Sequence, residues 1–105
     1  MIGEIYEEDD TTLVFQPAAK PVSPEDRARL LADPGFGRVF TDHMALIEYD
    51  QDEGWHDARV VAREPLQMDP ASPVLHYAQE IFEGLKAYRR PEGGAALFRP
   101  DANAR

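Results

Sequence analysis

His76-Tyr77-Ala78-Gln79-Glu80-Ile81-Phe82-Glu83-Gly84-Leu85-Lys86-Ala87-Tyr88 is the stretch on which the reading of this chain turns. A proline-bounded turn, Asp69-Pro70-Ala71-Ser72-Pro73, precedes it. Tyr77 and Ile81 are four residues apart, the spacing of one helical face. Gly84 then interrupts, and glycine inside a helix costs about 1 kcal/mol relative to alanine. Beyond it the period becomes two: Leu85, Ala87 and Arg89 alternate with Lys86, Tyr88 and Arg90, the pattern of a strand. The expectation is a helical turn, a glycine pivot and a strand, which together can aim Tyr77 and Phe82 at one cavity. From the residues alone, a plain core role for both aromatics is the simpler reading.

Downstream, Arg90-Pro91-Glu92-Gly93-Gly94 reads as a hairpin loop leading to a short strand over Ala95 to Phe98. Pro100 to Arg105 has the composition of a first helical turn, with Asp101 near its positive end. A helix stopped there has not completed its nucleus, so the sequence is expected to continue a longer fold. Upstream, Val39 to Asp50 reads as a strand with apolar residues on both faces, hence as a central strand covered on both sides. A polar turn, Asp50-Gln51-Asp52-Glu53-Gly54, then Trp55 and a strand around Arg59 to Arg63 complete an antiparallel hairpin. Pro65 to Asp69 extends that strand irregularly, at an edge or bulge. Ser23-Pro24-Glu25-Asp26 starts a helix over Pro24 to Ala32: serine caps, proline suits the first turn, and acids favour the positive end. Asp33-Pro34-Gly35 ends it. Leu13 to Gln16 is a candidate edge strand, and the acidic run Glu7 to Asp10 reads as a solvated tail.

These elements share one pattern. His76-Tyr77, Phe82-Glu83-Gly84, Lys86-Ala87-Tyr88 and Phe98-Arg99-Pro100-Asp101-Ala102-Asn103, with Pro34-Gly35-Phe36-Gly37-Arg38-Val39-Phe40-Thr41-Asp42-His43-Met44 before them, resemble the branched-chain-amino-acid aminotransferases. The resemblance covers about Pro34 to Arg105, the front part of such an enzyme. It implies an α+β fold: the small N-terminal domain of the D-amino-acid-aminotransferase-like fold, an antiparallel sheet with short helices. On this reading residues 1–33 are an N-terminal extension with a short helix and 34–105 part of the small domain. The rest of that domain and the cofactor-binding large domain lie beyond.

The resemblance further implies a pyridoxal-phosphate enzyme that passes the amino group of leucine, isoleucine or valine to 2-oxoglutarate, working as a homodimer. Phe36, Tyr77 and Phe82 match positions lining the substrate side-chain pocket, and Tyr77 one supplied across the dimer interface. The family's Schiff-base lysine lies past the end of this chain. Its phosphate-binding arginine aligns just after Arg105, so neither Arg99 nor Arg105 takes that role. No catalytic or cofactor-binding residue is therefore expected here, and the segment alone is not expected to be active. Another aminotransferase of the same fold, acting on D-amino acids, aromatic amino acids or amines, fits the same aromatic wall. So does, from a different class, a stand-alone binding module using an open sheet edge.

Composition limits the alternatives. The 105 residues allow one domain with one core, and 43% hydrophobic with 30% charged residues argues against wholesale disorder. A net charge of −9 works against binding to nucleic acid or anionic membrane. No apolar run approaches the roughly 20 residues of a membrane span. The acidic start lacks a signal peptide's basic region, so a cytosolic location is the default expectation. There is no cysteine. His43, His56 and His76, spaced by 13 and 20, match no metal-ligand pattern, so no metal site is expected. Asp42 and His43 point to opposite faces of a strand, which argues against a relay to Ser72. A Schiff-base lysine needs burial or a nearby cation; of the two lysines, Lys20 and Lys86, Lys86 sits beside Arg89 and Arg90 but is expected on a solvated strand face, so no catalytic lysine is expected here.

Overall fold

A computed structural model of the chain describes residues 13–104. The acidic run Glu7 to Asp10 lies outside them. The chain separates at Leu66/Gln67 into two compact units, a different division from the 33/34 boundary read from the sequence.

In the first unit β1 (Val14–Phe15), β2 (His43–Asp50) and β3 (Gly54–Ala62) form a sheet in the order β1-β3-β2. The β2–β3 pair is the antiparallel hairpin expected from the polar turn, with Tyr49 opposite Trp55 and His43 opposite Ala62. β1 pairs with β3 in parallel, so the sheet is mixed and not purely antiparallel. β3, not β2, is the central strand. β2 is an edge, starts at His43 rather than Val39, and leaves Ile47 and Tyr49 exposed. The apolar residues on both its faces therefore reflect a demand for cover that the described residues do not meet. β3 stops at Ala62, before Pro65, whose missing N–H cannot continue a ladder.

A bulge shapes the hairpin. Between the pairs Leu46–Arg59 and Glu48–His56, the single Ile47 faces both Asp57 and Ala58. Asp57 takes the left-handed conformation, φ 52°, that such an extra residue needs; short polar side chains tolerate it. Arg59 braces the bulge, donating from Nη1 to the Asp57 carbonyl at 2.9 Å and from Nη2 to Glu48 Oε1 at 2.7 Å. Ala58 is the one buried hydrophobic residue among those described, at 6% exposure.

α1 (Pro24–Ala32) forms over the residues expected from sequence. Ser23 Oγ accepts the Asp26 N–H at 3.1 Å, and Arg29 pairs with Asp26 one turn on. No residue of α1 is buried.

The second unit contains α2 (Pro73–Tyr77) and an antiparallel hairpin of β4 (Ala87–Arg89) and β5 (Ala95–Leu97), followed by a 3₁₀ turn at Pro100–Ala104. Both strands are shorter than the sequence suggests. Gly93 and Gly94, φ 98° and 79°, make the turn. α2 ends at Tyr77 because Ala78 adopts the left-handed conformation, φ 48° and ψ 47°. Tyr77 and Ile81 therefore do not share a helical face. The elements are α+β in class. No helix among the described residues is long and apolar enough to cross a membrane.

Candidate functional site

Of the aromatic residues singled out by sequence, Tyr77 closes a helix, and Phe36 and Phe82 stand on connecting backbone. Phe36 lies between Gly35 and Gly37, with φ of 62° and 69°, conformations that residues with a Cβ rarely take. Phe36 is 86% exposed. In the second unit, Tyr77 is the last residue of α2 and Phe82 lies five residues on, at 83% and 82% exposure. The helix itself is seated by its lead-in. The Asp69 side chain accepts the Ala71 N–H at 2.7 Å, and its carbonyl accepts the Ser72 N–H at 2.9 Å. His76 Nε2 donates to the Pro70 carbonyl at 2.5 Å, and its ring meets Tyr77 edge-on at 6.4 Å. Ala78 then reverses the chain, and its carbonyl accepts the Glu80 N–H at 2.8 Å.

The second unit thus carries Tyr77 and Phe82, whereas Phe36 belongs to the first. Gly84, Leu85, Lys86, Tyr88 and Phe98 line a shallow depression of about 470 Å³. Apolar side chains dominate the surface of this unit: Leu75, Tyr77, Ile81, Phe82, Leu85 and Phe98 are each more than half exposed.

A polar cluster at the β2–β3 turn escaped the sequence reading. Asp50 Oδ1 accepts the N–H groups of Glu53 and Asp52, at 2.7 and 2.8 Å. These bonds, the Glu53 one foremost, hold the Asp50 carboxyl below its ordinary value; desolvation opposes them and the nearby His56 adds to them. His56 Nδ1 donates to the Gly54 carbonyl at 3.0 Å, and Nε2 lies 3.5 Å from Asp50 Oδ2. The Gly54 carbonyl is the main cause raising the His56 pKa, against desolvation and with help from Asp50, Glu53 and Asp57. Acidic side chains gather around His56 in two sets, Asp50 with Glu53 and Glu48 with Asp57. Histidine-to-histidine spacing could not reveal this. The signal was the acidic turn folding back on the histidine two residues after its glycine. Asx-type turn bonds and one ion pair account for the arrangement.

No family model matches the chain. Individual relatives do. A probable branched-chain-amino-acid aminotransferase of Streptomyces coelicolor is 59% identical over 92 residues, 88% of this chain and 25% of the relative. The branched-chain-amino-acid aminotransferase of Mycolicibacterium smegmatis is 56% identical over 84 residues, 80% of this chain and 23% of the relative. Branched-chain-amino-acid aminotransferase 2 of Bacillus subtilis is 54% identical over 68 residues, 65% and 19% respectively. These relatives are aminotransferases, a class of enzyme. The chain belongs to the branched-chain-amino-acid aminotransferase family, and it spans about a quarter of the length of the curated relatives it matches.

Proposed function

We propose that this chain is the N-terminal part of an enzyme that transfers the amino group of leucine, isoleucine or valine to 2-oxoglutarate through pyridoxal phosphate. The observation that carries the reading is the 59% identity over 92 residues, matched to only 25% of the relative's length. The exposed apolar side chains of the second unit, Leu75, Ile81, Leu85 and Phe98 among them, support it, because a longer chain would cover them. We place the small domain of the D-amino-acid-aminotransferase-like fold here, in a cytosolic homodimer.

In this reading the cofactor's site lies outside this segment. Pyridoxal phosphate needs a lysine with its ammonium desolvated or set against another cation. Lys20 and Lys86 are both exposed, and Lys86 sits at the rim of the shallow depression. The Schiff-base lysine would come from the remaining three quarters of the protein.

What this segment supplies is substrate wall. Leucine, isoleucine and valine carry no polar handle, so a site must select them by apolar burial, at about 25 cal/mol per Å². Phe36, Tyr77 and Phe82 offer rigid apolar surface for that purpose. One methylene changes binding by only about 1–3 kcal/mol, so one such pocket serves all three amino acids. The Tyr77 hydroxyl can donate to the distal carboxylate of 2-oxoglutarate, which must occupy the same space.

A panel of amino donors given to the protein expressed from its native gene tests this. Leucine, isoleucine and valine should all be used, with valine, one methylene shorter, within roughly 200-fold of the other two. A preference for D-amino acids, aromatic amino acids or amines would overturn the substrate assignment.

A further inference from the structure

The backbone between β1 and α1, residues 16–22, runs as a strap fastened by two consecutive side chains at the start of β2. His43 Nε2 accepts the Ala18 N–H at 2.9 Å, and Asp42 Oδ1 accepts the Val22 N–H at 3.1 Å. Both bonds span twenty residues or more of chain. Gln16 N–H to the Val60 carbonyl, 2.8 Å, anchors the strap's first residue, and the Phe15 ring lies 5.1 Å from that of His43. Ser23, which caps α1, follows Val22 directly, so the strap also sets where α1 begins.

The bond at Ala18 imposes a chemical condition. A backbone N–H can only donate, so Nε2 must present its lone pair and the ring must be the neutral tautomer with its proton on Nδ1. Protonation removes that lone pair and sets two N–H donors face to face. Asp42 and Val22 make no such demand, since a carboxylate keeps accepting far below the pH range in which histidines change charge.

We propose that His43 is a proton-sensitive latch: neutral, it holds the strap on the sheet at Ala18; protonated, it releases Ala18 while Asp42 keeps Val22 in place. The strap's Val22, together with Arg27, Leu30, Phe40, Asp42 and His43, lines a cleft of about 380 Å³ beside α1. Release at Ala18 loosens the lead-in to this wall and leaves the cap of α1 intact. The charged groups at the latch are of both signs: Asp42 adjoins His43 in the chain, Arg27 of α1 lines the same cleft, and the Arg63 N–H, just after β3, donates to the Asp42 carbonyl at 2.9 Å. β1 adds only the uncharged Phe15.

Amide exchange and nitrogen NMR on the full-length protein expressed from its native gene test this. At pH 8, His43 should be in the Nδ1–H tautomer and the Ala18 amide protected. As His43 titrates, Ala18 protection, corrected for intrinsic exchange, should fall roughly five- to tenfold, with Val22 unchanged. His43→Gln keeps a neutral acceptor at this position, so Ala18 should stay protected through the same range. The proposal is overturned by an Nε2–H tautomer, by an Ala18 amide unprotected at pH 8, or by Ala18 protection indifferent to the titration. An equal acid loss in His43→Gln also overturns it.

Discussion

Tyr49 and Trp55 face each other across the β2–β3 hairpin, their ring centroids 5.1 Å apart and their planes inclined at 59°. The tilted arrangement lets the positive edge of one ring meet the negative face of the other. Trp55 is the sole tryptophan of these 105 residues. Both rings are more than half exposed, so Tyr49→Ala should cost only about 0.5–1 kcal/mol. Denaturant titration followed by Trp55 fluorescence measures it; a cost above about 2 kcal/mol would mean the pair is covered.

The same hairpin should have a pH window. Asp50 has a lowered folded-state pKa, so its contribution is complete above the ordinary value of 3.8 and is lost as pH falls through the depressed value. His56 has a raised one, so its contribution is complete below 6.5 and is lost as pH rises through the elevated value. The fluorescence midpoint should be highest between these limits. His56→Gln should abolish the decline on the alkaline side and leave the acid decline. An unchanged alkaline decline in that variant would refute the assignment.

The bulge makes a backbone prediction. Asp57 sits at φ 52° without being glycine. Asp57→Gly should be neutral or stabilising by up to about 1 kcal/mol, and Asp57→Ala destabilising by about 1 kcal/mol. Paired thermal melts of the two variants give the difference; the reverse order would show that the Asp57 carboxylate matters more than its φ.

α1 was legible from sequence to the residue, because Ser23-Pro24 fixes a start and Asp33-Pro34 a stop through local chemistry. The β2–β3 hairpin was legible for the same reason. What the pattern missed depended on distant chain. Nothing local states that Val14 and Phe15 pair in parallel with β3 and so make β3 the central strand. The helical spacing of Tyr77 and Ile81 was overruled by one residue, Ala78, adopting a conformation that alanine rarely takes. The resemblance pointed to Phe36, Tyr77 and Phe82; Phe36 and Phe82 lie outside every helix and strand, so no periodicity could have singled them out.

Ser23→Ala removes the acceptor for the Asp26 N–H and should lower stability by about 1 kcal/mol; Ser23→Gly should cost only a few tenths. Helical ellipticity across a thermal melt distinguishes them. Equal losses in the two variants would mean that the cap bond contributes nothing.

The central claim is that this segment belongs to a chain about four times longer that carries one pyridoxal-phosphate lysine. The direct measurement is the intact mass of the protein expressed from its native gene, after incubation with pyridoxal phosphate and reduction with borohydride. The account predicts a polypeptide several-fold heavier than 11.8 kDa bearing a single reduced cofactor adduct. An unlabelled polypeptide of 11.8 kDa would contradict it.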